Sequence, residues 1–244
     1  MLQNRQQKHT DKPLGVIISK KDPAMKTNEI IITAKIIRDF LKFNDDFPDN
    51  PIDDTFLPIP PYKISNQIHL IIIGQDPTIR NESRRENIDT TLNLDKGGSL
   101  RNYIEKICSK LNIGFENIYG TNVFKYFYKY PPSDTFKVLK AHLSPNLKLL
   151  KEELSTFPEV PIITLGEPVL KLLSEDVKNA KMTYYWDYNP STKKSNGNLK
   201  YCKKDDNLLE RNFFPIPHQP SMSKEFYAKY FDDYLDFIGK NYNT

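Results

Sequence analysis

The sequence has few of the features that mark secreted, membrane-spanning or metal-binding proteins. Its two cysteines, Cys108 and Cys202, lie far apart and form no Cys-x-x-Cys motif. Two cysteines exclude a zinc ribbon and a four-cysteine iron–sulfur cluster, and they fit a reducing compartment. No apolar run could span a bilayer, and the first residues lack the apolar core of a signal peptide. We expect a soluble protein, cytoplasmic or nuclear in a eukaryote, without membrane contact, metal or other cofactor.

A nucleophile elbow, Gly-x-Ser-x-Gly, is also absent, which disfavours an α/β-hydrolase. What is present is 244 residues, enough for one substantial core, with 14 Phe and 14 Tyr to fill it. The net charge of +4 resides entirely in residues 1–27, where six basic residues meet two acidic ones. Such a segment is either a solvated leader or an arm that follows the phosphates of DNA. We predict a loosely ordered leader over 1–27 and one domain over 28–244.

Hydrophobic patterns predict strands that alternate with helices. Four apolar runs predict strands, namely Ile68–Ile73, Ile118–Val123, Val160–Leu165 and Phe213–Ile216. Helical spacing predicts helices over Asn28–Phe43, Leu100–Leu111, Pro145–Leu154, from Pro168 onward and over Lys224–Ile238, with Asn28 and Ser99 as N-caps. Further short strands are predicted at Val16–Ile18 and Met182–Trp186, and residues 47–63 predict a long ordered loop. This alternation predicts a three-layer α/β/α domain around a central, mostly parallel four-stranded sheet.

Polar residues follow three of the four strands. These residues are Gly74-Gln75-Asp76-Pro77, Thr121-Asn122 and His218 to Ser223. Ligands of parallel sheets bind at the carboxyl ends of the strands. A carboxylate can position water, a carboxamide offers one donor and one acceptor, and a neutral imidazole can donate to an oxyanion. We expect Asp76 and His218 on one side of a single cleft, at the ends of adjacent strands.

The motifs and their order resemble the uracil-DNA glycosylase superfamily over about residues 66–240. Gly74 to Pro77 resembles the family's water-activating motif, and His218 to Ser223 resembles its second motif. Ser99 to Ile104 is similar to a helix start of that family, and Asn122 stands where the family has its uracil-reading Asn. The resemblance implies the fold predicted above and a substrate base that is flipped out of DNA.

The resemblance also implies roles for the site residues. Asp76 would activate the attacking water and stabilise an oxocarbenium-like sugar. His218 would stabilise the departing uracil anion. Asn122 would read the Watson–Crick edge of the base, although an Asn at a strand end can also bond a loop. The main chain at Gly74 and Gln75 would contact the base.

Candidate DNA contacts lie near the second motif and on the first helix of the motif region. Ser221 and Ser223 would grip phosphates, or they would cap the last helix. Met222 would fill the gap left by the flipped base, or it would pack in the core. Ser99 would bind DNA at its helix start. The aromatic and basic stretch over 124–130 either stacks on bases or anchors the core, and the lysines of 193–204 form a solvated loop or grip DNA.

Three departures from the family pattern bear on the substrate. Thr78 stands where the family usually has a base-contacting Tyr, and Gln219-Pro220 changes the order of the second motif. No Phe occurs between the first motif and Ser99, so Leu92 or Leu94 is a candidate for the stacking position. Two functions follow: a monofunctional glycosylase that acts as a monomer on uracil-containing or damaged DNA, or an inactive relative that binds nucleic acid or a protein.

Overall fold

The computed structural model describes residues 25–45, 47–132, 135–176 and 180–241. Most of the predicted leader, including the short strand predicted at Val16–Ile18, lies outside the described residues. The described helix α1 spans Thr27–Asn44. No helix in the described ranges combines the length and the apolar character that a membrane crossing requires.

The centre of the fold is a five-stranded sheet in the order β2-β4-β3-β6-β9. The strands, in chain order, are β1 Ile52–Asp53, β2 Tyr62–Lys63, β3 Leu70–Gly74, β4 Ile118–Asn122, β5 Phe127–Tyr128, β6 Ile162–Leu165, β7 Tyr188–Asn189, β8 Lys194–Ser195 and β9 Phe213–Ile216. The pairs β4-β3, β3-β6 and β6-β9 are parallel, and β2 joins β4 antiparallel at the edge. The four predicted strands are therefore confirmed, and the prediction of four strands in all is wrong by the edge strand β2.

Helices cover both faces of this sheet and form the outer layers. The remaining described α-helices are α2 Ser99–Lys110, α3 Phe136–Leu154, α4 Glu167–Leu173, α5 Met182–Tyr185 and α6 Glu225–Asn241. Helix α1 packs on α3, and α2 packs on α6. Along β4, Tyr119 and Thr121 bond to Glu153 of α3, while Gly120 faces Leu94 on the other side. This alternation is the period of a strand between two layers, so the three-layer prediction is confirmed.

Some predicted boundaries and one element type are wrong. Residues Met182–Trp186 form helix α5 and its C-cap, because burial at the spacing of Met182, Tyr185 and Trp186 overrides their preference for strands. Helix α3 begins nine residues before the predicted start at Pro145, which lies inside it. Its buried residues before and after the proline hold both parts against the core, among them Val138, Leu139, Leu149 and Leu150.

The two predicted N-caps are also wrong, because each helix begins one residue earlier than expected. Helix α1 begins at Thr27 after Lys26, whose amide donates to Glu29 Oε2 at 2.9 Å. Helix α2 begins at Ser99 itself, and Gly98 is its cap residue.

The aromatic stretch after β4 is part of the core. Residues 124–128 are at most 1% exposed, which confirms the core interpretation over base stacking for these residues. The proline-rich segment over 47–63 is ordered, as predicted, and carries β1 and β2. Strand β1 pairs with β5, and the Asn50 carboxamide donates to Tyr130 O at 3.0 Å. These contacts bring the segment against the loop that follows β3.

Candidate active site

The loops after β3 and β4 are joined by backbone hydrogen bonds. Gly74 and Asn122 are register partners at the last position of the two strands. Beyond them, the Val123 amide donates to Gly74 O and the Phe124 amide donates to Gln75 O, each at 2.9 Å. The two loops therefore leave the sheet side by side, and Asp76 follows directly on this paired segment.

Asp76 is a carboxylate held by its own loop. The Thr78 amide donates to Oδ1 at 2.8 Å, and Gln75 Nε2 donates to Oδ2 at 2.6 Å. Burial raises the pKa of Asp76, and this effect outweighs the hydrogen bonds from Thr78 and Gln75 and the charge of Arg85, which lower it. A carboxylate with a raised pKa is a better proton acceptor at neutral pH than an exposed one.

Arg85 fastens the loop that carries Asp76 to the neighbouring strands. Its guanidinium is buried, with Nη1 2.9 Å from Asp53 Oδ2 of β1. Nη2 donates to Ile79 O at 3.1 Å and to Lys129 O at 2.8 Å, just after β5. The sequence analysis missed Arg85, because it lies in a polar run in which nothing distinguishes a buried arginine from solvated ones.

Asn122 presents a polar group that lacks a partner. The residue is 1% exposed, and no described residue forms a hydrogen bond with its Oδ1. A Cβ atom at Gly74 would lie 2.3 Å from this oxygen, so only glycine fits beside it. A buried acceptor without a partner is costly, and such groups in native proteins commonly serve a ligand. The carboxamide is thus available to an N–H donor at the end of β4.

Leu92 forms the apolar wall beside Asn122. Its Cδ2 would lie 2.7 Å from a Cβ at Gly74, on the same side as the carboxamide. Leu92 has φ +60° and Asn93 has φ +52°, a left-handed conformation that is strained for leucine. The segment is held by the Thr91 amide, which donates to Pro60 O at 2.9 Å. Leu94, the other candidate for the stacking position, is fully buried against Gly120 instead.

His218 follows β9, two strands away from β3. Strand β6 pairs with both β3 and β9, so the prediction that Asp76 and His218 follow adjacent strands is wrong. His218 is solvent-exposed, yet desolvation by the surrounding protein lowers the pKa of its imidazole. The ring is therefore neutral at neutral pH and can donate one hydrogen bond. At the end of β6, the Gly166 amide donates to Ile216 O at 2.7 Å.

The other predicted site residues lie nearby in the chain but have local partners. The Thr78 hydroxyl accepts from the Tyr128 amide at 2.8 Å, and Met222 is half-buried against the core. The Ser221 amide donates to His218 O at 2.8 Å, and the Ser223 hydroxyl donates to Pro220 O at 2.9 Å. Neither serine directly precedes α6, which begins at Glu225, so the capping interpretation is wrong. Ser99 is exposed at the start of α2.

In the described part of the chain, no three His, Cys, Asp or Glu side chains are grouped as metal ligands would be. The free thiols Cys108 and Cys202 are buried, and burial raises the pKa of Cys108 to about 12 and that of Cys202 to about 11.

The fold and the site define an α/β protein with a carboxylate, a carboxamide and an imidazole at the carboxyl edge of a parallel sheet. A family model described as the uracil DNA glycosylase superfamily matches residues 61–237. The match covers well over half of the chain, and the chain belongs to this superfamily. A comparison with curated proteins found no match.

The fit between Gly74 and Asn122 can be tested by Gly74→Ala. The added methyl group would overlap Asn122 Oδ1 and Leu92, so we expect the free energy of unfolding to fall by about 1–3 kcal/mol. Gly97→Ala is the control, since no atom lies within 4 Å of its Cβ position. Urea denaturation measures both, and an equal loss in the two variants would contradict the close approach.

The raised pKa of Asp76 predicts a pH-dependent gain in stability for Asp76→Asn. A folded-state pKa above the unfolded value means that the ionised carboxylate destabilises the fold. We expect Asp76→Asn to be more stable than the natural protein at about pH 7, with the difference shrinking towards the unfolded-state pKa of about 3.9. Urea denaturation of both proteins over this pH range is the measurement. A difference that grows on acidification would show that the folded-state pKa is lowered instead.

Proposed function

We propose that this protein is a monofunctional DNA glycosylase that hydrolyses the N-glycosidic bond of uracil, or of a related deaminated base, in DNA. The reaction is the first step of base excision repair. The proposal includes action as a monomer and without a metal ion or cofactor. The observation that carries it is the buried, unpartnered Oδ1 of Asn122, which lies at the end of the strand next to the one that leads to Asp76.

The carboxamide of Asn122 suits the Watson–Crick edge of uracil. Uracil presents an N3–H donor beside an O4 acceptor, and a carboxamide offers the complementary acceptor and donor. Leu92 would cover one face of the base, and the main chain at Gly74 and Gln75 would border it. Enclosure of a flipped base by such contacts offsets the few kcal/mol that unstacking costs.

Asp76 and His218 would share the chemistry at the glycosidic bond. The bond between C1′ and N1 breaks, and its electron pair leaves with the base as a uracil anion. Asp76 would stabilise the positive charge on the sugar, orient the water that attacks C1′ and accept its proton. Neutral His218 would donate a hydrogen bond to the base anion, where a charge-stabilising donor acts in the transition state.

The DNA strand would run over the segment that follows His218. We propose that Ser221 and Ser223 contact phosphates, that Ser99 contacts the backbone from the start of α2, and that Met222 occupies the gap left by the base. Met222 is half-buried in the described state, so this role requires it to move from the core when DNA binds.

A second candidate function is that of an inactive relative that binds nucleic acid or a protein. It is favoured by Leu92, a strained aliphatic residue beside the base-reading Asn122, because an aliphatic side chain stacks on a base less well than an aromatic ring. This candidate predicts DNA or protein binding without release of any base.

Excision assays on uracil-containing oligonucleotides, single-stranded and duplex, decide between the two. Alkali cleavage of abasic sites reports excision, and we expect it to persist in EDTA. Asp76→Asn should lower the single-turnover rate by about 100-fold or more while DNA affinity changes by only a few-fold, because the carboxylate acts on the reacting centre.

Asp236→Asn is the control for this variant, since Asp236 lies on α6 in a surface pair with Lys110. Equal losses of rate and affinity in Asp76→Asn would indicate a structural role for Asp76. Absence of excision from every deaminated base tested would favour the inactive relative.

Thr78 predicts weak discrimination against bases with a substituent at C5. Thr78→Tyr should lower the rates on 5-hydroxymethyluracil and thymine relative to uracil by tens of fold, since exclusion of one small group is worth about 1–3 kcal/mol. Thr78→Val is the matched control, because it keeps the size of Thr78 and removes the hydroxyl that accepts from the Tyr128 amide. Unchanged rate ratios in Thr78→Tyr would show that residue 78 does not face the base.

A further inference from the structure

A buried ion pair lies directly behind the base-reading Asn122. Lys125 Nζ is 2.6 Å from Glu153 Oε2 of α3, and the two side chains are 1% and 0% exposed. Burial lowers the pKa of Lys125, and the charge of Glu153 opposes this. Breaking such a pair is costly, yet replacing both members by neutral residues is often neutral or stabilising. Stability alone therefore does not explain why the core holds two charges at this place.

The pair binds three consecutive positions at the end of β4. Glu153 Oε1 accepts from the Thr121 hydroxyl at 2.7 Å. Lys125 Nζ donates to Thr121 Oγ1 at 2.6 Å and to the main-chain oxygen of Asn122 at 2.5 Å. The peptide that follows Asn122 is thereby fixed from the side opposite its carboxamide.

The same peptide holds the loop of Asp76. Its amide belongs to Val123, which donates to Gly74 O, and the next amide, of Phe124, donates to Gln75 O. Lys125 thus contacts one end of a peptide whose other end bonds to the strand leading to Asp76. A shift of this peptide would move the base-reading carboxamide and the carboxylate together.

We propose that Lys125, paired with Glu153, is a positioning residue that sets the orientation of Asn122 and, through it, of the loop before Asp76. The inference rests on the proposed function for its effect on excision. Its structural part concerns the peptide after Asn122 and can be measured without turnover. Preorganised sites depend on such supporting bonds, and a displacement of about 1 Å can cost a reaction roughly 100-fold.

The test uses Lys125→Met together with Glu153→Gln, which removes both charges and keeps an acceptor for Tyr119 and Thr121. We expect this double variant to fold, with a single-turnover rate reduced by about 10- to 100-fold and DNA affinity within about threefold. In an Asn122→Ala background, the same pair of changes should reduce the rate by less than about threefold, because the group that it positions is gone. Additive losses in the two backgrounds would overturn the proposal.

Lys137→Met is the control, since Lys137 forms an exposed ion pair with Asp49 at the start of α3. Amide hydrogen exchange gives the readout that does not need activity. We expect faster exchange at Val123 and Phe124 in the double variant, with unchanged exchange over β6. If the natural protein excises no base, the proposed function fails by itself. Unchanged exchange at Val123 and Phe124 would overturn the positioning role whether or not excision occurs.

Discussion

Two backbone hydrogen bonds beyond the ends of β3 and β4 hold the candidate site together. They join Val123 to Gly74 and Phe124 to Gln75, and so continue the parallel pairing past the last residues of the strands. Because of them, a carboxylate and a carboxamide that are 46 residues apart in sequence share one corner of the sheet. Arg85 and the pair Lys125–Glu153 act on the same corner from its two sides.

This corner concentrates features that are unfavourable for folding. Asp76 has a raised pKa, Asn122 has a buried acceptor without a described partner, and Leu92 and Asn93 have left-handed backbone. Such strain persists only where surrounding structure imposes it, and it concentrates at functional sites. Here the surroundings are the apolar strands β3 and β4 and the buried aromatic stretch after β4. The clustering itself is therefore an argument that this corner serves a ligand.

The sequence predicts those parts of the fold that depend on local pattern. Continuous β-branched runs such as Ile71–Ile73 can only be buried strands in a sheet covered on both faces, and the polar residues after them mark its carboxyl edge. Strand order does not follow from these runs, which is why the position of β6 between β3 and β9 was not predicted. Nor does periodicity reveal that Lys125 meets Glu153, because the partners lie on different elements. Leu92 could be named as a candidate only because a motif residue was missing, and its backbone conformation decides between it and Leu94.

The unexpected position of β6 has a physical consequence for the proposed reaction. Adjacent strands lie about 4.8 Å apart, so residues that follow neighbouring strands would leave no room for a base between them. With β6 interposed, the ends of β3 and β9 are separated by about twice that spacing, which is the scale of a nucleobase with its sugar. The residue at the end of β6 is Gly166, with φ +88°, and a Cβ there would lie 3.3 Å from His218 Cβ. A glycine at this point keeps the space between Asp76 and His218 free of side chain and lets His218 approach the sheet. A nucleotide held by Asn122 at one end and by His218 at the other would then place its glycosidic bond between them, within reach of Asp76.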